Sequence, residues 1–162
     1  MTKVIALTQG KVALVDDADF EWLNQWKWYA FKDPRVYYAR RNSYENGKVC
    51  TIQMHRAILN PPLGSDSDHI NGNGLDNRRT NLRVCTHAEN CQNRRKPTGC
   101  SSRYKGVSWR KRTRKWRAYI WINGRQKQLG CFDEEEEAAR AYNKEALEQF
   151  REFAQLNVIP AD

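Results

Sequence analysis

Residues 67–95 read SDHINGNGLDNRRTNLRVCTHAENCQNRR, a dense block of polar side chains. Asp68 and His69 stand together and are followed by a loop rich in Gly and Asn. Asn81 comes twelve residues after His69 and opens NLRVCT, which is typical of a strand. Asn90 falls on the first turns of a helix predicted to start near Thr86. A strand, a loop, a second strand and a helix are therefore expected to bring an acid–His pair and an amide oxygen toward one point.

The residue types in this block suit the hydrolysis of a phosphodiester. A base must deprotonate water, and a hard divalent ion must stabilise the charge at phosphorus and on the departing oxygen. Histidine suits the base because its ordinary pKa lies near neutrality. Carboxylate and amide oxygens are ligands that magnesium and manganese prefer. The alternative is a polar loop with a structural role only.

The block resembles the HNH (ββα-metal) nuclease motif, in the form found in phage-type homing endonucleases that pair HNH with DNA-reading domains. The resemblance implies His69 as general base, and Asn81 as the residue that holds the His-bearing loop. It implies Asp68 and Asn90 as ligands of Mg²⁺ or Mn²⁺, and no small-molecule cofactor. Asn90 stands where many such nucleases have a histidine, so a nitrogen-rich zinc site is not expected. The matching residues are Asp68-His69, Asp76-Asn77-Arg78, Asn81-Leu82-Arg83 and Asn90.

Positive charge is concentrated in one segment of the 162-residue chain, whose net charge is +9. Residues 94–132 hold 13 basic residues and no acidic one. Residues 133–162 hold 3 basic and 9 acidic residues. A solvated face normally mixes both signs, so a segment without carboxylates indicates a surface that faces phosphates. We expect double-stranded DNA as the partner; an accidental run of charge is the alternative.

The N-terminal region is predicted to be rich in sheet. Two strands flank the Gly10-Lys11 turn in residues 3–15, and Asp17 or Asp19 caps a short helix, DFEWLNQW. Strands KWYAF, VYYARRN and VCTIQM follow, the last pair joined at Asn46-Gly47, and HRAILN forms a helix stopped by Pro61-Pro62. Five arginines in this part of the chain and one just after it are candidate phosphate contacts, although any of them can also be exposed without a role. They are Arg40, Arg41, Arg56, Arg78, Arg83 and Arg94.

Two histidines outside the acid–His pair have open interpretations. His55-Arg56 matches the segment that precedes HNH in the related nucleases. In the functional interpretation, Arg56 contacts a phosphate. In the other, the two residues only pack at the start of a helix. His87 begins the predicted third helix and is interpreted as a surface or capping residue rather than a ligand.

Residues 104–150 are predicted to form three antiparallel strands, at 104–110, 115–122 and 125–131, followed by a helix over EEEEAARAYNKEALEQF. Alternation places Ala118, Ile120 and Ile122 against the helix, with Val107 and Trp109 on the same side. An antiparallel ribbon of this width fits the major groove of B-DNA. Alternation leaves five side chains on the open side, with Arg112 in the turn beside them. They are Ser108, Arg110, Arg117, Tyr119 and Trp121.

This C-terminal segment resembles the plant ethylene-response-factor (AP-two) DNA-binding domain, a three-stranded sheet backed by one helix. The side chains that the resemblance implies on the DNA-facing side are Lys105, Ser108, Arg110, Arg117, Tyr119, Trp121, Gln126 and Gln128. Ser108, Gln126 and Gln128 stand where the plant pattern has arginines or tryptophan, so the plant sequence preference does not carry over. The matching residues are Tyr104-Lys105-Gly106-Val107, Lys115-Trp116, Leu129-Gly130, Phe132 and Glu137-Ala138-Ala139-Arg140-Ala141-Tyr142.

The sequence thus predicts an α+β chain of two modules. The first is an HNH endonuclease domain over residues 1–95, with its motif at 66–95. A linker, 96–103, leads to the DNA-binding domain, 104–155. No secretory signal or long apolar run is visible, so we expect a cytoplasmic protein with reduced cysteines, in a bacterium or a phage-infected cell.

One HNH unit should cut one strand per engagement, so we expect a monomeric, site-preferring nickase of homing type. Two alternatives stay open. The chain is a DNA-binding regulator whose HNH fold is only structural, or a basic protein that binds RNA or the ribosome. A plasmid-nicking assay with magnesium distinguishes a nuclease from the DNA-binding regulator. A binding competition between duplex DNA and RNA distinguishes it from the RNA-binding protein.

Overall fold

The computed structural model describes residues 1–34, 36–94, 96 and 99–160, and has the predicted α+β class. It divides into two compact units, Met1–Asn90 and Cys91–Asp162, called the N-terminal and C-terminal units below. Arg95, the last residue of the predicted nuclease domain, and Pro97 and Thr98 of the predicted linker lie outside the described residues. In the described part of the chain, no helix is both long and apolar enough to cross a membrane.

The N-terminal unit opens with an antiparallel pair, β1 (Thr2–Ala6) and β2 (Val12–Asp16), as predicted. Helix α1 (Asp17–Leu23) follows at once and is shorter than the predicted DFEWLNQW. The indole N–H of Trp28 donates to the Leu23 carbonyl at 2.8 Å, which gives this carbonyl a partner outside the helix. The helix therefore ends at the buried Leu23 rather than at Trp26.

Three strands form the central sheet of this unit: β3 (Tyr29–Asp33), β4 (Val36–Glu45) and β5 (Lys48–Gln53). The Asn46-Gly47 turn joins β4 to β5, and both turn residues have positive φ, 51° and 74°. That conformation matches a two-residue hairpin turn, so the predicted hairpin is confirmed. Helix α2 (Met54–Leu59) continues directly from β5 and ends at Asn60, whose φ is 44°, before the two prolines.

A second hairpin completes the unit, and a short helix begins in it and ends two residues into the C-terminal unit. Strands β6 (Asp66–His69) and β7 (Leu82–Cys85) pair antiparallel around a long loop, and α3 (His87–Gln92) follows. Leu82 is buried in the main hydrophobic core, which ties the hairpin to the rest of the unit. This core consists of Ile5, Ala13, Val15, Leu23, Trp28, Ala39, Met54, Ile58 and Leu82.

The C-terminal unit is a three-stranded antiparallel sheet backed by one helix, as predicted. Its strands β8 (Val107–Arg110), β9 (Lys115–Ile122) and β10 (Arg125–Phe132) lie in the order β10-β9-β8. Helix α4 (Glu135–Phe150) packs its buried alanines against the buried Ala118 and Ile120 of β9. Small residues on a helix let it approach a sheet closely.

The first strand of this sheet begins three residues later than predicted, at Val107 instead of Tyr104. Gly106 has a φ of +73°, which does not continue an extended strand, and the Tyr142 ring of α4 lies against its α-carbon. Tyr104 is buried in the core under α4. Trp109, predicted on the core side, is 37% exposed and packs edge-on against Trp116, with 4.9 Å between ring centroids.

Candidate active site and DNA-facing surface

The β6–β7 hairpin presents the acid–His pair. Its register sets Asp68 opposite Arg83, and His69 opposite Leu82. Because Leu82 is anchored in the core, His69 at the end of β6 has a fixed backbone position. Both Asp68 and His69 are buried, at 8% and 5% exposure.

Asn81 spans the loop that follows His69. Its Nδ2 donates to the Asp76 carbonyl at 2.7 Å, and its Oδ1 accepts from the Asn71 backbone N–H at 3.0 Å. Its own carbonyl accepts from the Ile70 N–H at 2.9 Å. The start and the end of the loop are thereby joined through one buried amide, in the place where the HNH resemblance puts a loop-holding residue.

Charged pairs fasten the same loop to β2 and α1. Arg78 holds the buried carboxylate of Asp76 through two hydrogen bonds of 2.7 Å, and this guanidinium keeps the pKa of Asp76 below its usual value. Arg79 holds the buried Asp19 of α1 in the same way, also at 2.7 Å. Leu14 of β2 accepts from the Asn77 backbone N–H at 2.8 Å. The loop is therefore connected to the rest of the N-terminal unit through α1 and β2.

His69 is held at one ring nitrogen. The Nε2 atom lies 3.3 Å from Oδ1 of Asn77, a side chain with 0% exposure. An oxygen acceptor there favours the tautomer with hydrogen on Nε2, which leaves Nδ1 able to accept a proton. Burial lowers the pKa of His69, with the hydrogen bond to Asn77 and the charges of Asp68 and Asp76 opposing it. The imidazole is therefore neutral near pH 7, the state that a base requires.

The two candidate metal ligands are each held by a neighbour. Arg83 donates to Oδ2 of Asp68 from Nε at 3.0 Å and from Nη2 at 2.8 Å. Nδ2 of Asn90 donates to Asp66 at 3.1 Å, and Nδ1 of His87 lies 3.0 Å from the same oxygen. These two contacts, that of Asn90 foremost, lower the pKa of Asp66.

Helix α3 begins in a way that positions Asn90. The Thr86 N–H and hydroxyl both donate to the Glu89 carboxylate, at 2.7 and 2.9 Å, and the Glu89 N–H donates to the Thr86 hydroxyl at 3.3 Å. This reciprocal arrangement is a capping box, which fixes the first turn of a helix. Asn90 lies one turn into α3, with its backbone N–H bonded to the Thr86 carbonyl.

The donor atoms present fit a hard divalent ion. Because Nδ2 of Asn90 is directed to Asp66, its Oδ1 is the atom suited to ligate, and Asp68 adds a carboxylate. Within residues 1–34, 36–94, 96 and 99–160, no cluster of three or more His, Cys, Asp or Glu side chains suits a metal ion.

The six arginines predicted to contact phosphates fall into different surroundings, and all of them except Arg94 belong to the N-terminal unit. Arg40 and Arg41 are adjacent in β4 and so project from opposite faces of the sheet. Arg40 stacks on Phe31, with 3.7 Å from its Cζ to the ring centroid, whereas Arg41 stacks on Trp26 at 4.2 Å. Arg56 and Arg94 are exposed. Arg78 and Arg83 are engaged by the carboxylates described above, with side chains 37% and 14% exposed.

The open face of the C-terminal sheet collects most of the predicted DNA-facing residues. The register pairs Ser108 with Arg117, and Arg110 with Lys115. It also pairs Tyr119 with Gln128, and Trp121 with Gln126. Directly paired side chains of an antiparallel sheet share a face, so these residues lie together, opposite the face that packs on α4. Trp121 is 58% exposed, and Arg112 lies exposed in the turn after β8.

Lys105 differs from its expected placement, and Ser108 differs only in its surroundings. The Lys105 ammonium donates to the carbonyls of Gln92 and Arg94, at 2.5 and 2.8 Å, and burial lowers its pKa to about 8. It is used inside the unit as a partner for the end of α3, not on the open face. Ser108 is on the open face, but its hydroxyl is buried and has no hydrogen-bond partner in the described residues.

Sequence reasoning gave no role to three buried or networked residues. Asn77 lay within the quoted motif and turns out to bind the His69 ring. Asp66 orients Asn90; period-2 alternation with Asp68 was a signal for it. His55 of α2 is 5% exposed, and its ring centroid lies 4.7 Å from that of His69. Only the fold shows this contact, because fourteen residues separate the two histidines. His87, with a side chain 76% exposed, is a surface residue paired with Asp66.

Known proteins match both units. A family profile described as HNH endonuclease matches residues 62–92. An uncharacterised HNH endonuclease of Acanthamoeba polyphaga mimivirus is 32% identical over 157 residues, which cover 93% of this chain and 77% of the viral protein. Protein 3.8 of Escherichia phage T7 is 35% identical over 105 residues, which cover 63% of this chain and 87% of the phage protein.

Plant proteins match part of the chain. The AP2-like ethylene-responsive transcription factor TOE2 of Arabidopsis thaliana is 42% identical over 72 residues, which cover 44% of this chain. The matched segment spans only 15% of the plant protein's length. No solved structure matches the chain significantly.

Proposed function

Because the chain belongs to the HNH endonuclease family and carries an AP2-like domain, we propose that it nicks double-stranded DNA at preferred sites, using magnesium or manganese. The chain is a nuclease, and DNA is its partner. One copy, acting as a monomer, would cut one strand per engagement, as homing-type nucleases with a separate DNA-reading module do.

The observation that carries the proposal is the setting of His69. Its ring is buried and neutral, is held at Nε2 by Asn77, and stands beside the buried carboxylate of Asp68. A general base needs this combination of fixed orientation and neutral charge. All of these residues lie inside the matched segment, 62–92.

His69 takes one proton from a water molecule while the water oxygen forms a bond to phosphorus. The bond from phosphorus to one sugar oxygen breaks, and that oxygen leaves with the electron pair and is protonated by solvent. Asn77 keeps the imidazole in the accepting tautomer, and Asn81 keeps the loop after His69 closed. A divalent ion held by Asp68 and Asn90 would supply stabilisation of negative charge on the scissile phosphate and the departing oxygen.

The C-terminal unit would place the nuclease at its site. The open sheet face carries Arg110, Arg117 and the exposed Trp121, which suit phosphate and base contacts in a major groove. Gln126 and Gln128 are exposed beside them and suit the reading of base edges. Tethering such a unit to the nuclease raises the local concentration of the active site at the DNA.

The first test is nicking of supercoiled plasmid by the full chain with magnesium. His69→Ala should lower the cleavage rate by roughly a hundredfold or more while DNA affinity stays the same, because the proton acceptor is lost. His87→Ala is the matched control, since its ring is largely exposed, and it should nick within a few-fold of the wild type. Near-normal nicking by His69→Ala would show that another group is the base.

The second test concerns the ion. Excess chelator should stop nicking, and added magnesium or manganese should restore it. Asp68→Ala should abolish the metal-supported reaction because a carboxylate ligand is removed. Since Arg83 loses its partner in that variant, circular dichroism must show that the protein is folded. Full activity in chelator, or in a folded Asp68→Ala variant, would exclude this use of the ion.

A further inference from the structure

Three aromatic rings from separate elements meet beside the candidate base. His55 of α2 lies edge-on to His69, with 4.7 Å between ring centroids and 68° between ring planes. Tyr38 of β4 lies 5.8 Å from His55 and 5.9 Å from His69. The Tyr38 ring in turn packs on Gly74 in the loop after His69. The rings of His55 and Tyr38 therefore lie beside His69 without a role in the proposed mechanism.

The His55 side chain has a polar atom that packing alone does not require. Its Nδ1 atom is buried and makes no hydrogen bond to any described residue. A buried polar atom without a partner destabilises a fold, whereas a phenylalanine ring fills nearly the same space without that cost. Retention of an imidazole in this position points to a use for its nitrogen.

The charge state of His55 suits a role next to a base. Burial lowers the pKa of His55 to about 3, and the nearby charges of His69, Arg56 and Arg40 act in the same direction. His55 therefore stays neutral and does not compete with His69 for the proton that leaves water. A neutral ring nitrogen is also a hydrogen-bond acceptor that can oppose positive charge beside it.

We propose that His55 is a positioning residue for His69: its ring, packed edge-on at 4.7 Å between centroids, holds the His69 imidazole in place, and its buried Nδ1 is the polar atom that a ring serving only for packing would lack. The inference rests on the proposed function, in which His69 accepts the water proton. Asn77 holds the same imidazole at Nε2, so the ring would be supported from two sides. His55 itself would neither touch the DNA nor transfer a proton.

The test compares His55→Phe with Ile58→Val in the full chain. Ile58 is another buried residue of α2 and belongs to the hydrophobic core, so its variant controls for disturbance of the helix. His55→Phe should lower kcat for plasmid nicking about tenfold or more, with KM and DNA affinity within twofold of the wild type. Its Tm should be equal or higher, because a buried nitrogen without a partner has been removed. Ile58→Val should leave kcat within twofold.

A spectroscopic readout separates positioning from activity. In ¹H–¹⁵N spectra of the imidazole groups, His69 should show one tautomer in the wild type and in Ile58→Val. The same resonances should shift or broaden in His55→Phe. A folded His55→Phe variant with wild-type kcat and an unchanged His69 spectrum overturns the proposal.

Two further variants, His55→Asn and His69→Ala, distinguish the remaining outcomes. If His55→Phe does not fold, His55→Asn is measured, since its side chain keeps a polar atom near the Nδ1 position. A kcat within fivefold of the wild type then supports the proposal, and a hundredfold loss overturns it. If His69→Ala nicks normally, the proposed function itself fails. If His69→Ala is inactive and His55→Phe is fully active, only the role of His55 is lost.

Discussion

Asn77 and Asn81 are both buried amides in the loop after His69, but they bind different atoms. Asn81 connects backbone groups at the two ends of the loop. Asn77 instead meets Nε2 of the His69 imidazole. Loss of Asn81 should therefore disturb the loop as a whole, whereas loss of Asn77 should act on the orientation and tautomer of one ring.

At the residue scale, we predict that Asn77→Ala lowers kcat for nicking by roughly ten- to a hundredfold with little change in DNA affinity, because the acceptor for Nε2–H is removed. Asn73→Ala is the matched control: Asn73 is exposed in the same loop, and its side chain accepts from the Leu75 N–H at 3.2 Å. Its kcat should stay within a few-fold of the wild type. Equal kcat values for the two variants would show that Asn77 does not orient His69.

Gly106 and Gly124 have the same left-handed backbone conformation but differ in how closely other residues approach them. Their φ angles are +73° and +74°. Gly124 turns the chain between β9 and β10, and an added β-carbon would meet nothing within 4 Å. At Gly106 the same β-carbon would lie 2.0 Å from the Tyr142 ring and 2.6 Å from the Tyr119 carbonyl. The close approach of α4 to the start of β8 therefore requires a residue without a side chain at position 106.

At the element scale, we predict that Gly106→Ala destabilises the C-terminal unit more than Gly124→Ala does. Each change costs about 1–2 kcal/mol for a left-handed backbone. Gly106→Ala should lose roughly 1–3 kcal/mol more, because the Tyr142 ring and the β9 backbone must move. Urea unfolding followed by circular dichroism measures both variants. Equal losses of unfolding free energy would mean that α4 can shift freely away from β8.

The distribution of charge over the chain matches the division into two units. Carboxylates are absent from residues 94–132, and they return in α4, on the side of the C-terminal sheet away from its open face. Phosphates should therefore meet the open face and not the helix. Within the N-terminal unit, by contrast, several of the predicted phosphate-binding arginines are engaged by acids: Arg78 by Asp76, and Arg83 by Asp68.

At the scale of the whole molecule, we predict that the C-terminal unit supplies most of the salt-dependent DNA affinity. The combined change Arg110→Gln, Arg112→Gln and Arg117→Gln should reduce the slope of log Kd against log salt by about 2.7, because three phosphate contacts are lost. Nicking at saturating DNA should persist, since the catalytic residues are intact.

The control for that experiment removes equal charge from the helix side, with Arg140→Gln, Lys144→Gln and Arg151→Gln, all at exposed positions. It should leave the slope nearly unchanged, apart from a small long-range effect. If both triple variants change the slope equally, net charge and not the open sheet face determines the affinity.

Much of this protein follows from local pattern alone. Alternation, the Asn46-Gly47 turn and the prolines after α2 predict most strands, the β4–β5 hairpin and the end of α2, because these signals act over a few residues. The spacing from Asp68 through Asn81 to Asn90 predicts the nuclease class, since residues close in sequence build that site. The sheet alternation also predicts which side chains share the open face of the C-terminal unit.

Only the tertiary structure decided the partners of the charged and buried groups. Arg83 pairs with Asp68 across a hairpin, Lys105 binds the backbone after α3, and His55 reaches His69 from another element. Adjacent arginines in β4 stack on different aromatic rings because a strand directs them to opposite faces. Such contacts depend on how elements pack in space. The residues next to a polar side chain in the sequence do not determine which distant group will be its hydrogen-bond partner.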